Sequence, residues 1–214
     1  MSSSRKKLLA KFRGATLADS REEANACLFQ ILYGLSAEMQ IGLARDMAAR
    51  FLPVFHANHP EVTWPTTVLD DLDAYFNEHE QTLPDEPEDS FGGDMSFNYA
   101  LYALLRALAY SKQGLLPRVT PACCTALLMA VSARAANVWH ADDPDGVQAW
   151  RDGAWETLAG RGEHNNAASM AVARREWLVV ADWLEAHNVD VFPVTDEAER
   201  EKWFAWWQDR ECLL

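Results

Sequence analysis

Apolar residues recur at three- and four-residue spacing along most of this chain, and sustained two-residue alternation is hard to find. That periodicity predicts helices rather than strands. The expected architecture is all-α: a single compact domain over residues 1–214, with about eight helices joined by short connections and neighbours packed antiparallel. Ser20 can cap a helix running to about Gly34, with Glu22 and Glu23 in its first turn, and Ser36 can cap the next, which Pro53 bends or ends. Pro65 stands in the first turn of a helix extending to about Thr82, Ser96 opens another to about Gln113, and Thr120-Pro121 pairs a cap with an N1 proline. Asp143-Pro144 repeats that signal, and later helices cover about Glu163 to His187 and Thr195 to Arg210. Residues 1–16 are expected to be a mobile lead, and no internal repeat of fixed period is visible.

Two helices read as central. SFNYALYALLRALAY is apolar around most of its circumference, and PACCTALLMAVSARAANVW is rich in Ala, Cys and Ser, so neighbouring backbones can approach it closely. Arg106 and Arg134 lie within them. Each is expected to be structural, its stem along apolar surface and its head on a carboxylate.

Composition supports a sizeable core, with 49% apolar residues and 11% aromatic in 214. Charge changes the picture more. The net −13 divides into +3 over residues 1–50, −11 over 51–105 and −5 over 106–214. Such a chain repels phosphate backbones, so nucleic acid is not an expected ligand, whereas a basic protein surface fits. Lys11 and Arg13 interrupt the opening before it reaches signal-peptide form, and Arg106 and Arg134 break the longest apolar runs, so no membrane span is expected. Cys27, Cys123, Cys124 and Cys212 show no CxxC spacing and read as reduced thiols packed as small hydrophobes. A cytoplasmic location is the expectation that follows.

The asymmetry is concentrated in one stretch. From Phe51 through Leu105 there is no Lys or Arg, while eleven carboxylates occur. On a 3.6-residue wheel over 68–83, Val68, Leu69, Leu72, Tyr75, Phe76 and Leu83 share one side, and Asp70, Asp73, Asn77 and Glu80 share the other. The acidic loop of residues 83–95 adds Asp85, Glu86, Glu88, Asp89 and Asp94, with Phe91, Met95 and Phe97 as apolar anchors beside the charge. Acids at a helix C-terminus oppose its macrodipole and repel one another, a small cost that a binding role would explain. Asp70, Asp73, Glu80, Asp85, Glu86, Glu88, Asp89, Phe91 and Asp94 are therefore the candidate partner-binding residues. A charged rim around aromatic anchors is a common interface composition.

Catalytic chemistry finds little foothold. His56, His59 and Glu61 are close in sequence but lack HExxH spacing and an implied fourth ligand, and neither DEPEDSFGGD nor ADDPDGVQAWRD matches an EF-hand loop. His79 falls on the apolar side of its helix wheel and reads as a core histidine, and His164 as a loop or helix-start residue. No GxSxG, Walker A or GxGxxG pattern occurs. No catalytic residue, metal or other cofactor is assigned. In TDEAEREKWFAWWQDRECLL, the Trp-rich C-terminal helix of 195–214, Trp203, Trp206 and Trp207 are expected to dock onto the domain, or to serve as secondary contacts where a ring stays exposed.

The acidic LDDLDAYFNEHEQTLPDEPEDSFGGD, with the small-residue helices NYALYALLRALAYSKQG and PACCTALLMAVSARAANVW, resembles in style the immunity proteins that bacteria keep beside polymorphic or contact-delivered toxins. That resemblance implies a non-enzymatic antidote, monomeric or weakly dimeric when free, whose carboxylates meet Lys and Arg of a cognate toxin. Two readings compete with it. One is a metal-dependent helical hydrolase using the Asp70–Asp94 carboxylates, and the other an adaptor subunit assembling through the C-terminal Trp cluster.

Overall fold

The computed structural model describes residues 3–79, 93–142, 167–187 and 197–211, and every regular element among them is a helix. In chain order these are α1 (Ser3–Leu17), α2 (Arg21–Tyr33), α3 (Ala37–Ala49), α4 (Leu52–Asn58), α5 (Trp64–Asp70) and α6 (Leu72–His79). There follow α7 (Asp94–Lys112), α8 (Leu116–Asp142), α9 (Ala167–Ala186) and α10 (Glu197–Glu211).

Local chemistry accounts for several boundaries. Ser36 accepts a hydrogen bond from the Met39 amide at 3.3 Å and caps α3, whereas Ser20 precedes α2 without a side-chain cap bond. Pro53 opens α4 rather than ending α3, a position where its missing N–H costs nothing. Between α7 and α8 the chain reverses at Gly114, whose φ of 72° lies in the left-handed region. The Leu115 amide then donates back to Tyr110 O at 2.8 Å, the six-to-one bond of a Schellman end.

Because that turn launches α8 at Leu116, Pro121 is inside the helix instead of at its first position, and Thr120 is buried rather than capping. The Pro121 carbonyl accepts from Thr125 Oγ1 at 3.0 Å. Within the segment expected to be a mobile lead, α1 begins at Ser3, and Leu9, Phe12 and Ala15 on it are buried. The Asp143-Pro144 start, His164, Thr195 and Cys212 lie outside the described residues.

The core is organised around α8. Its most extensive packing is against α7, then α9 and α3, with α2 and α10 completing the surround. Small side chains make this possible: Ala122, Cys123, Cys124, Ala126, Ala130 and Ala133 are all buried, as the Ala/Cys content led us to expect. Burial pushes the Cys123 thiol far above its usual range, so it stays protonated. Cys27, Cys123 and Cys124 are free and buried. Over Leu116–Ala141, α8 is long and apolar enough to cross a membrane, contrary to expectation, because Arg134 alone does not interrupt the run; 72% of its most apolar window is buried inside the protein.

A ring cluster joins the shorter helices to this core. Phe97 lies 5.3 Å from both Phe51 and Phe55, centroid to centroid. Gly93 is wedged beside it. A Cβ there would fall 2.0 Å from the Ala133 carbonyl oxygen and 2.7 Å from the Phe51 ring, so only glycine lets α7 start this close to α8.

The buried charge is equally specific. Glu176 on α9 is 1% exposed and accepts from Arg50 Nε at 2.7 Å and from Arg134 Nε at 3.2 Å, while Arg134 also donates to Arg50 O at 3.0 Å. Burial pushes the Glu176 carboxyl up, but the hydrogen bonds and charges of the two arginines outweigh it and hold it below its ordinary value. Arg134 is thus the paired structural arginine its sequence context suggested. It ties α3, α8 and α9 at one point.

Candidate functional site

The acidic helix read from the sequence is two helices. At Asp71 the backbone leaves the helical region (φ −141°, ψ 83°), and its carboxylate accepts from the Ala74 amide at 2.9 Å. Asp71 therefore ends α5 and caps α6, an ordinary use of a short acidic side chain. The amphipathic division survives this break. Val68, Leu69, Leu72 and Tyr75 are buried, and Asp70, Asp71, Asp73 and Glu78 are exposed. Thr63 precedes α5 with no cap bond, and Pro65 occupies its first turn.

Four described acids thus cover an outer face that contains no cation of its own. Among the described ion pairs, the face draws one base from elsewhere: Lys112, at the end of α7, reaches Asp73 Oδ1 at 2.7 Å and lies over the Phe76 ring at 5.3 Å. Asp73 remains 67% exposed despite that contact. Glu80, Asp85, Glu86, Glu88, Asp89 and Phe91 lie outside the described residues.

Asp94 corrects the sequence reading. It is fully buried, and His59 Nε2 donates to its Oδ2 at 2.8 Å across a gap of 35 residues in sequence. A carboxylate at the first turn of α7 also faces the positive end of that helix. It is therefore a structural acid fastening the α4–α5 connection to α7, not part of a partner surface. Phe97 is likewise core, 0% exposed, whereas Met95 remains 38% exposed.

The histidines separate. His56 Nε2 and Thr66 Oγ1 share a hydrogen bond at 2.7 Å, and His59 belongs to Asp94. His79 is exposed, not core: its ring stacks on Tyr75 at 4.1 Å and its Nδ1 donates to Tyr75 O at 3.1 Å. His79 shares the face of the buried Leu72 and Tyr75 but is the last residue of α6, which is why that placement missed. Among the described residues no three His, Cys, Asp or Glu side chains are grouped to hold a metal ion.

The C-terminal helix docks on α2 and α8. Trp207 is 1% exposed, its indole donates to Thr125 Oγ1 at 3.3 Å, and its ring lies 5.7 Å from Phe29. It is a core residue, as docking implies, and so does not serve as the secondary contact allowed for a ring that stays exposed. Trp203 and Trp206 are half-buried, in edge contact at 5.7 Å.

The sequence reading missed the outer face of α7. Tyr99 and Tyr102 are 52% and 45% exposed on a helix assigned wholly to the core. The signal was present: Met95, Tyr99, Tyr102 and Arg106 follow four-, three- and four-residue steps, one face of a helix. Comparison with protein-family models, with curated proteins and with solved structures gave no match.

Proposed function

We propose that this chain is a non-enzymatic acidic binding protein that neutralises a cognate bacterial toxin by covering a basic surface of it, in the manner of the immunity proteins it resembles. The observation that carries this reading is the outer face of α5 and α6. Asp70, Asp71, Asp73 and Glu78 stand exposed on two helices that lack any Lys or Arg. Several acids elsewhere are matched with bases: Glu176 with two arginines, Asp182 and Glu185 with Arg13, Asp19 with Arg174. The exposed acids of the α5–α6 face, of which only Asp73 is met by a base among the described ion pairs, generate a local negative potential that speeds capture of a basic partner and sets its orientation. The sequence extends the same charge through Glu80, Asp85, Glu86, Glu88 and Asp89.

The test is kinetic. Basic partners captured at low salt are measured against the parent chain and against a variant with Asp70, Asp71 and Asp73 replaced by Asn and Glu78 by Gln. Association should slow about ten-fold while dissociation changes less, and added salt should slow the parent in the same way. Equal association rates for the two chains at every salt concentration would remove the proposal.

A further inference from the structure

One cation already sits on the α5–α6 face, and it belongs to the chain itself. Lys112 Nζ lies 2.7 Å from Asp73 Oδ1 and 5.3 Å from the centroid of the Phe76 ring. Asp73 is in the first turn of α6 and Phe76 follows three positions later, so carboxylate and half-buried ring stand side by side on one helix face. Together they suit an ammonium group. The carboxylate accepts a charge-assisted hydrogen bond from it, and the ring quadrupole attracts the same charge.

The hold on Lys112 is loose. Asp73 keeps 67% of its side-chain surface in water and Lys112 keeps 36%, so solvent and salt screen the attraction. Lys112 is also the last residue of α7, where a cation is favoured by the negative end of the helix whether or not it touches Asp73. Its flexible four-carbon stem lets the ammonium leave Asp73 without any movement of the backbone. Asp70, Asp71 and Glu78 meet no base among the described ion pairs. Of the described acids on the face, Asp73 is therefore the one whose position a basic partner finds taken.

We propose that Lys112 is an internal competitor for this face: it occupies, across Asp73 and Phe76, the subsite that a lysine of the basic partner takes on binding. The inference rests on the reading of α5–α6 as the partner surface and adds how that surface is regulated. Binding exchanges one ammonium for another at Asp73 and releases Lys112 to water, so the chain's own lysine lowers its affinity for every basic partner and favours those able to present an ammonium at the same point. A brace between α6 and α7 would use the same contact to the opposite end, because its loss would loosen α6 and weaken binding.

A double-mutant cycle on the whole chain separates these, with a fluorescently labelled octalysine peptide as the probe. It is run at physiological ionic strength, where effects of net charge are screened beyond about 8 Å. Lys112→Met keeps the stem over Phe76 and removes the charge, with Lys112→Gln as a second form of the same change. Either should tighten binding about three-fold, the size of an exposed ion pair. In the Asp73→Asn background the gain should vanish, since no carboxylate is left there to compete for. Unchanged or weaker binding by both Lys112 variants, or an equal gain with and without Asp73, overturns the inference. If the chain with Asp70, Asp71 and Asp73 replaced by Asn and Glu78 by Gln still binds the peptide more weakly than the parent, the partner surface survives that failure. Equal binding by that chain and the parent removes the surface and the inference with it.

Discussion

The junction of α3, α8 and α9 and the outer face of α5–α6 handle negative charge in opposite ways. At the junction one carboxylate, Glu176, is almost wholly removed from water and answered by two arginines. On the face four described carboxylates stay in water, and Lys112 is the one base that reaches them among the described ion pairs. Burying an ion without a partner costs several kcal/mol, so the junction must be matched if the chain is to fold. An exposed acid carries almost no such obligation and can be left unmatched for use by something else. The contrast separates charge that holds this molecule together from charge available to a partner.

Removing Glu176 should show the largest effect. Glu176→Ala leaves Arg50 and Arg134 facing a dry gap, and we expect a loss of about 3 kcal/mol in urea unfolding. That is the low end of the range for a broken buried pair, because both arginines partly reach water. Asp94→Ala should come next, at about 2 kcal/mol, since it strips His59 of a buried hydrogen bond. A change indistinguishable from the parent at either site would erase the distinction drawn between the regions.

A pH series sharpens it. The Glu176 carboxyl titrates below its ordinary value of 4.5 when folded, so the stability it supplies is complete above that value and is lost as pH falls through the lowered one. Glu176→Gln should flatten the acid limb of the stability curve. If the parent and this variant lose stability in parallel between neutral pH and acid unfolding, the junction is not the acid-sensitive point.

Neutralising the outer face should affect stability least. Asp70→Asn with Glu78→Gln should leave the melting temperature unchanged or slightly raised, by relief of like-charge repulsion. Lys112→Gln should fall within about 0.5 kcal/mol of the parent, as exposed pairs do. A large destabilisation from these changes would mean that the face is structural after all.

How far the sequence could reveal this depended on the range of the interaction involved. Helix content, the Ser36 cap and the small-residue character of α8 are set by neighbours a few positions apart, and each was legible. So was the amphipathic division of Val68, Leu69, Leu72 and Tyr75 from Asp70 and Asp73, which survives even though Asp71 splits the helix. Asp94 was not legible, because its partner His59 is brought to it only when α4 and α7 pack. Thr120-Pro121 misled for a related reason: the reversal at Gly114 starts α8 one turn early, and the proline is absorbed into it. The exposed Tyr99 was not legible either, since hydrophobicity alone does not tell which large ring a neighbouring helix will cover.

Gly93 places an asymmetric constraint on sequence drift. The backbone there touches the Ala133 carbonyl, so even a methyl group would have to lever two helices apart. Any descendant of this chain that keeps the α7–α8 contact must keep glycine at 93, whereas the exposed Asp70 and Glu78 carry no comparable constraint. Divergence at the acidic helices beside a fixed glycine at 93 is the pattern expected if those helices bind a changing partner, as proposed, on a constant scaffold.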